Sequence, residues 1–309
     1  MQNVSVRVSI CVATCKRPDS LARLLAGIDR LQVEPSQANV LVVVVDNDAS
    51  ASSRAAVEGW AVASPWPHLY LVETRRGIPF ARNAAVSACL DRSDAIAFVD
   101  DDEVPHPQWL THLLATRKTY GADVVTGPAL PRFEQRPPVW ALNGPFFALP
   151  RYGTGTLCDR AFTNNVLVNN GVFRQMEGWF DQRLRFTGGS DTHFFRRAHL
   201  AGFRLVWCDE AVVDDYIPPS RVSRRWVVQR AYRYGHTHAF VRRDLGQDTP
   251  ARLAITAVLR MRYAASSAVV GLARGQQWRL IEGMTVAAYT AGMLANLAGA
   301  KYQEYRAHT

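Results

Sequence analysis

Two apolar runs that each end abruptly in carboxylates constrain the fold of this chain more than any other feature. Val40–Val45 is apolar throughout and is followed by Asp46, while Ala95–Val99 is followed by Asp100-Asp101-Asp102. A strand without polar alternation is typical of a parallel sheet that helices cover on both faces. Ligands of such sheets bind beyond the carboxyl ends of the strands. The sequence therefore predicts a row of carboxylates along the rim of one cleft.

The segments around these runs alternate between strand and helix patterns over the first hundred residues. The expected elements are a strand in Val4–Val12, a helix with apolar residues from Leu21 to Leu31 capped by Asp19 or Ser20, a strand near Leu69–Val72 and a helix over Pro79–Leu90. This βαβαβ order predicts an α/β fold with a doubly wound, mostly parallel sheet flanked by helices.

The second half of the chain predicts fewer strands and more helices. Thr126–Pro150 is irregular and rich in proline and aromatic residues, which fits either a substrate-facing loop or a surface excursion packed by its own aromatics. Asp191–Ala201 predicts a helix that ends at Gly202, and Phe203–Trp207 predicts a short strand. From Arg221 onward the pattern is mostly helical, so we expect a C-terminal helical extension.

Composition narrows the class of protein. Of the 309 residues, 48% are hydrophobic and 20% are charged, which excludes a disordered or collagen-like chain. The five cysteines are scattered without a C-x-x-C pair, so neither a disulfide framework nor a zinc ribbon is predicted. They favour a reducing, cytoplasmic compartment. The net charge of +9 suits polyanions or an anionic membrane, but no helix-turn-helix or aromatic-basic signature indicates nucleic acid.

The Asp100-Asp101-Asp102 cluster is the strongest chemical signal in the sequence. Adjacent carboxylates repel one another unless something compensates their charge. A divalent cation carrying a diphosphate would do so, because hard cations prefer oxygen ligands. A solvated acidic loop is the alternative interpretation.

Asp46 and Asp191 are the other carboxylates with candidate roles. Asp46 ends a strand and can accept hydrogen bonds from a nucleobase or ribose, or it can shape a turn. Asp191 follows Gly188 and Gly189 and precedes a predicted helix. It can take a proton from a hydroxyl group, or it can cap that helix.

The order of these pieces resembles the family 2 glycosyltransferases, and in particular their bacterial exopolysaccharide branch. The segments similar to the family are Val8–Pro18, Val43–Asp48, Gly77–Asn83, Phe98–Asp102 and Gly188–Thr192, and those similar to the exopolysaccharide branch are Pro219–Arg221 and Trp226–Gly235. They cover about residues 6 to 240 and are specific in combination. The resemblance implies a GT-A fold, a nucleotide-diphosphate sugar donor and inversion of configuration at the transferred sugar.

The resemblance also implies roles for the residues of the donor site. Asp46 would contact the nucleobase, Asp100 would contact ribose or diphosphate, and Asp102 would hold Mn²⁺ or Mg²⁺ as the D-x-D aspartate. The further residues that the resemblance assigns to donor binding are Thr14, Lys16, Arg17, Arg82 and Asp101. A uridine donor fits Asp46 best, and guanosine or thymidine donors stay open.

At the acceptor site, the resemblance implies that Asp191 is the general base. Gly189, Ser190 and Trp179 are the acceptor-site candidates. The family usually carries glutamate where this chain has Ser190, which puts a supporting acceptor contact in doubt more than the base itself. The acceptor would be a saccharide or a lipid-linked saccharide.

Two further questions stay open in the sequence. The arginine-rich region Arg221–Arg279 and the uncharged run Met284–Ala300 fit either a hairpin on the inner face of the cell membrane or a soluble helical cap. Met284–Ala300 is too short and too poor in leucine for a spanning helix. A sugar-nucleotide nucleotidyltransferase and a catalytically silent scaffold subunit are the alternative functions. We expect residues 1–125 to bind the donor, 126–240 the acceptor, and 241–309 to form the helical region.

Overall fold

The first hundred residues alternate between β-strands and α-helices, as the sequence predicts. A computed structural model describes residues 5–300 and 302, so the predicted strand start at Val4 lies outside the described residues. The elements of this part are β1 (Val6–Thr14), α1 (Pro18–Ile28), β2 (Ala38–Asp46), α2 (Arg54–Ala61), β3 (His68–Val72), α3 (Ile78–Cys89) and β4 (Ala95–Val99).

The remaining chain contributes shorter strands and then three long helices. These elements are β5 (Glu103–Pro105), α4 (Trp109–Tyr120), β6 (Val124–Thr126), β7 (Ala129–Phe133), α5 (Val139–Asn143), β8 (Asn165–Asn169), α6 (Asn170–Gln175), α7 (Ser190–Leu200), β9 (Leu205–Trp207), β10 (Val213–Ile217), α8 (Arg224–Asp244), α9 (Pro250–Ala273) and α10 (Gln277–Leu297). The predicted helix before Gly202 and the C-terminal helical extension are both present.

The main sheet is mostly parallel, as expected. Within the described residues it has seven strands in the order β3-β2-β1-β4-β8-β6-β9, and β8 runs antiparallel to both β4 and β6. Alternate side chains of β1, β2 and β4 enter two separate buried clusters, one on each face of the sheet. Helices cover both faces, which explains why these strands carry almost no polar residue.

The first helix begins earlier than the cap prediction places it. Neither Asp19 nor Ser20 caps α1, because the helix starts at Pro18 with Arg17 in the cap position. Proline suits this first position, since its missing N–H has no partner within a helix anyway. Leu31 lies beyond the helix end at Ile28 but is still buried.

The chain divides into two compact units. The first comprises residues up to 130, 149–185 and 190–216, and it contains the main sheet. The second comprises residues 131–148, 186–189 and 217 onward, and it contains α8, α9 and α10. The expected division at residues 125 and 240 by donor and acceptor binding stays a prediction.

A buried asparagine joins three segments of the first unit. The Asn165 side chain accepts a hydrogen bond from Trp109 Nε1 at 2.8 Å and donates to the carbonyls of Pro128 at 3.0 Å and Ala211 at 2.6 Å. Asn165 and Trp109 are both fully buried. No water can replace these partners without rearrangement, so each lost bond leaves a buried polar group unpaired.

Replacing Asn165 with alanine should therefore lower the free energy of unfolding by about 3 kcal/mol, because three buried polar groups lose their partner. Chemical denaturation of the variant and the wild type measures the change. Asn39→Ala is the matched control, since Asn39 is exposed and its side chain donates to Ser5 Oγ at 2.8 Å near the chain surface. Equal effects of the two substitutions would contradict the role of Asn165.

In the second unit, the irregular segment is packed by its own aromatic residues. Phe133 meets Phe147 edge to face, Trp140 does the same with Phe146, and Phe147 stacks on Trp226 of α8. Trp140 and Phe147 are buried in a cluster that also includes Ile281 of α10. Aromatic residues of the segment and of α8 thus pack this part of Thr126–Pro150, and a substrate-facing role of the segment stays a prediction.

Glycines let the long helices of the second unit pack closely. A Cβ on Gly235 of α8 would overlap the carbonyl of Tyr289 in α10, and one on Gly292 would overlap the carbonyl of Tyr232.

Among the described residues, one helix is long and apolar enough to cross a membrane by length and composition, and it is α9. The uncharged run Met284–Ala300, on which the sequence analysis focused, lies instead mostly within α10.

Candidate active site

The carboxyl ends of the parallel strands bring the predicted donor residues to one edge of the sheet. Thr14, the last residue of β1, lies opposite Asp46, the last residue of β2. Asp100 follows the end of β4, which pairs with the other side of β1. The structure therefore contains the row of carboxylates that the sequence predicts.

Asp101 is the anchored member of the acidic cluster. Its carboxylate accepts hydrogen bonds from Thr14 Oγ1 at 2.8 Å and from Arg17 Nη1 at 3.1 Å, and the side chain is buried. The same Arg17 nitrogen lies 3.2 Å from Asp102 Oδ2. These contacts attach the Asp100–Asp102 loop to β1, and the predicted donor contacts of Thr14, Arg17 and Asp101 stay predictions.

The neighbouring arginines do not fully neutralise the negative charge of the acidic cluster. Loss of hydration raises the pKa of Asp100 to about 7; the Arg82 guanidinium opposes this shift, and the Asp101 and Asp102 carboxylates add to it. Burial also raises the pKa of Glu103 well above its usual range. Glu103 Oε2 accepts a hydrogen bond from the Asp100 backbone at 3.2 Å, while Oε1 accepts one from Asn164 at 2.9 Å.

Glu103 is a residue of the site that the sequence analysis missed. It is buried and shapes the loop that presents Asp100. The signal was available, because Glu103 extends the aspartate run to four consecutive acidic residues. Four adjacent carboxylates repel one another unless other groups compensate their charge, so this run favours a folded acidic cluster over a solvated surface loop.

Asp46 is fully buried and accepts three hydrogen bonds from protein donors. Its Oδ1 accepts from the Asp48 backbone at 3.1 Å, and its Oδ2 accepts from the Ser53 backbone and the Tyr70 hydroxyl, both at 2.8 Å. Burial and this bond to Asp46 raise the pKa of Tyr70. Asp46 thus holds the loop after β2 in position, and its contact with a nucleobase stays a prediction.

Arg82 joins the acidic cluster to the start of α7. Its Nη2 lies 3.5 Å from Asp100 Oδ1, and its Nη1 donates to Ser190 Oγ at 3.3 Å. Arg82 and Ser190 are both buried, and the guanidinium also lies over the Phe180 ring. The serine at the family's usual glutamate position therefore serves as an acceptor for Arg82.

Asp191 follows Ser190 in the first turn of α7 and contributes to the negative field at Asp100. Its Oδ1 accepts from the Thr192 backbone at 2.7 Å, and the residue is partly exposed. The helix starts at Ser190, so Asp191 does not occupy the cap position of the alternative interpretation. A carboxylate in this position can accept a proton from a bound hydroxyl group.

Three further residues of the predicted site remain, Lys16, Trp179 and Gly189. Lys16 is exposed and has a left-handed backbone, with φ of 55°. Trp179 packs its ring edge to face with Phe173 and donates its indole N–H to the Phe173 carbonyl at 2.8 Å. Gly189 groups with the second unit, where a Cβ would overlap Thr237 Cγ2. Their predicted donor and acceptor contacts stay predictions.

The carboxylate oxygens of the acidic cluster are suitable ligands for a hard divalent cation. Asp100 and Asp102 present carboxylate oxygens beside the anchored Asp101, and burial leaves this negative charge poorly compensated. Oxygen-only ligand sets are those that Mg²⁺ and Mn²⁺ prefer. The carboxylates present therefore fit a divalent metal, which Asp100 and Asp102 would hold.

The chain belongs to the family 2 glycosyltransferases. The family profile described as "Glycosyl transferase family 2" matches residues 9–176, which is more than half of the chain. The chain is 36% identical over 241 residues to the succinoglycan biosynthesis protein ExoM of Rhizobium meliloti (strain 1021), covering 77% of this chain and 76% of that protein. It is 22% identical to the glucosyl-dolichyl phosphate glucuronosyltransferase of Haloferax volcanii, covering 76% of each.

The fold of this chain is similar to that of several solved structures. The mannosyltransferase PcManGT from Pyrobaculum calidifontis, solved with GDP-Man and Mn²⁺, has a TM-score of 0.65 at 16% identity and covers 96% of this chain and 89% of its own. Residues 1–349 of S. aureus TarS with UDP have a TM-score of 0.55 at 15% identity, covering 96% and 93%. The chain has the expected GT-A fold with a C-terminal helical region.

Proposed function

We propose that the protein is a metal-assisted, inverting glycosyltransferase that moves a sugar from a nucleotide-diphosphate sugar to a hydroxyl of a saccharide acceptor. The observation that carries the proposal is the Arg82 bridge between Asp100 of the acidic cluster and Ser190, next to Asp191. One buried cation thus contacts both the donor-side cluster and the residue that precedes the candidate base. Direct displacement needs the donor and the base to lie on opposite sides of one reacting carbon.

The relatives support a role in polysaccharide or glycoconjugate biosynthesis. The relative at 36% identity is described as a succinoglycan biosynthesis protein, and another is described as a glucosyl-dolichyl phosphate glucuronosyltransferase. We propose a saccharide or lipid-linked saccharide as the acceptor. UDP-sugar is the proposed donor, with residues 1–125 binding it and residues 126–240 binding the acceptor.

In the proposed mechanism, Asp191 accepts the proton of the acceptor hydroxyl while that oxygen attacks the anomeric carbon. The C–O bond to the diphosphate breaks as the new bond forms, so the configuration inverts and no covalent enzyme intermediate arises. Arg82 opposes the rise in the pKa of Asp100 and holds Ser190 in position. Arg17 and Thr14 keep the acidic loop in place through Asp101.

Asp102 would hold Mn²⁺ or Mg²⁺, with Asp100 beside it. When bound, the metal supplies charge neutralisation for the leaving diphosphate. The protein's own contribution is to hold the carboxylates ready: the Arg17 contact orients Asp102, and Glu103 orients the loop through the Asp100 backbone.

A panel of nucleotide sugars, assayed with and without Mn²⁺ for released nucleoside diphosphate, tests the proposal. We expect metal-dependent release from one donor class, with a uridine donor first. Formation of a nucleotide sugar and pyrophosphate from a nucleoside triphosphate and a sugar phosphate would instead point to the nucleotidyltransferase. No release together with no nucleotide binding by calorimetry would contradict the transferase and support the silent scaffold.

The proposed location is the cytoplasmic side of a membrane, with peripheral contact to anionic lipid. Three observations support it: the chain's excess of basic residues, its apolar helix α9, and the lipid-linked acceptors of such relatives. A transferase at this location could reach a lipid-linked saccharide without crossing the bilayer.

A further inference from the structure

Helix α9 has one packed side and one side without a protein partner in the described part of the chain. Its buried stripe recurs every three or four residues, as one face of a helix does, and consists of Leu253, Ala257, Ala264, Ser267 and Gly271. Gly271 and Ala264 approach Leu280 and Gly283 of α10 closely. Helix α10 lies against both α8 and α9, so α9 is the outer helix of this group.

The opposite side of α9 is exposed and apolar. Ile255 is 64% exposed, Leu259 is 59% exposed and Leu272 is 71% exposed, and Val258 and Val269 are similar. These residues recur at helical spacing over almost the whole length of the helix, so they form one face. We call them the outer face of α9. An exposed apolar face of this length normally meets a partner or a membrane.

The charged residues of α9 itself all have one sign. Two acidic neighbours are engaged by other groups of the helix: Asp248 pairs with Arg252, and Glu282 of α10 accepts hydrogen bonds from Tyr263 and Ser267. Pro250–Ala273 contains no aspartate or glutamate, and its arginines are Arg252, Arg260 and Arg262, with Arg274 following the helix. Arg260 turns towards α10 and lies over the Tyr289 ring. Arg262 and Arg274 are exposed, and neither forms an ion pair within residues 5–300. The face therefore suits an anionic partner.

The position of Arg262 at the middle of the outer face distinguishes between the possible partners of that face. A helix that crosses a bilayer would bring Arg262 to the hydrocarbon centre, where a guanidinium is costly. A second copy packed about a two-fold axis through the helix centre would bring two Arg262 side chains together, which like-charge repulsion opposes. At a bilayer surface, the guanidinium can reach lipid phosphates while the neighbouring apolar side chains enter the interface.

We propose that α9 lies flat on an anionic bilayer, with its outer face in the interface and Arg262 on lipid phosphates. The proposal deepens the membrane contact proposed above and rests on that part of the proposed function. It assigns the contact to α9 rather than to Met284–Ala300. That run contributes mostly to α10, which is largely occupied by its two neighbouring helices.

Flotation of the full chain with vesicles tests the proposal. One set of vesicles is phosphatidylcholine alone and the other contains phosphatidylglycerol as well. The wild type should float with the anionic set and far less with the neutral set. The double variant Ile255→Asn with Leu259→Asn should lower vesicle binding at least about tenfold, because two apolar side chains no longer favour the interface. Arg262→Gln should lower binding to the anionic vesicles about fivefold.

Val62→Asn is the matched control, because Val62 is 88% exposed but lies outside α9. It should leave vesicle binding unchanged, and circular dichroism should be the same for all variants. Equal flotation of the double variant and the wild type would overturn the proposal. So would a wild-type dimer by sedimentation velocity that the double variant loses, since the outer face would then bind a second copy.

Donor turnover measured without lipid separates this proposal from the proposed reaction. Turnover with no vesicle binding overturns the role of α9 and leaves the transferase intact. Vesicle binding that depends on the outer face, with no turnover of any donor, supports the role of α9 and contradicts the transferase. The outer-face substitutions themselves should not change turnover, because none of these residues belongs to the candidate active site.

Discussion

Replacing Asp191 with asparagine should lower sugar transfer by about 10²–10⁴-fold, the usual contribution of a general base, and leave donor binding nearly unchanged. Asparagine keeps the size of the side chain and can still accept from the Thr192 backbone, so the start of α7 should keep its structure. Only the capacity to take the acceptor proton is removed. Initial rates of transfer and calorimetric binding of the nucleoside diphosphate measure the two effects separately.

The control for this substitution is Asp159→Asn. Asp159 is a carboxylate of the same unit that pairs with Arg160 and Arg196 at half-exposed positions, where an ion pair contributes little. It should change neither transfer nor binding. Near-wild-type turnover in Asp191→Asn would show that another group takes the proton, and the assignment of Asp191 would be wrong.

Replacing Asp102 with asparagine should lower Mn²⁺ affinity at least about tenfold and transfer by about 10²-fold or more, because a charged metal ligand becomes neutral. The fold should tolerate the change, since the Arg17 contact is shared with Asp101. Titration of Mn²⁺ in the presence of nucleoside diphosphate, followed by electron paramagnetic resonance, measures affinity independently of turnover.

Asp94→Asn is the control for the metal prediction. Asp94 pairs with Arg7 at the opposite edge of the sheet, with Arg7 Nη2 and Asp94 Oδ1 2.7 Å apart. This variant should bind Mn²⁺ as the wild type does. Chelation with EDTA should reduce wild-type transfer to the level of Asp102→Asn. Full activity of the wild type after chelation would contradict the role of the acidic cluster.

The strands and the row of carboxylates were predictable because they depend on local pattern. An apolar run such as Val40–Val45 or Ala95–Val99 can be read directly as a strand covered on both faces. The carboxyl ends of parallel strands lie at one edge by geometry. Asp46 and Asp100 therefore follow from the order of elements alone.

The partners of these carboxylates were not predictable in the same way. Asp46 accepts hydrogen bonds from the Ser53 backbone and the Tyr70 hydroxyl, which come from a loop and from β3. Arg82 reaches Ser190 across 108 positions of sequence. Such contacts depend on how distant segments pack, and no periodicity in one segment encodes them.

The C-terminal helices illustrate the same limit. Composition alone singles out Met284–Ala300 because it lacks charge. Exposure depends instead on packing: α10 packs along both α8 and α9, whereas α9 packs mainly against α10. The apolar residues of α9 are separated by arginines in the sequence, yet they share one face once the helix forms.

The anomeric configuration of the first product formed tests the central claim most directly. Proton nuclear magnetic resonance during the first turnovers, with the donor that the panel identifies, reads the configuration before any mutarotation or rearrangement. Direct displacement assisted by Asp191 predicts a glycosidic bond of opposite configuration to that of the sugar in the donor. Retention of the donor configuration would contradict the mechanism.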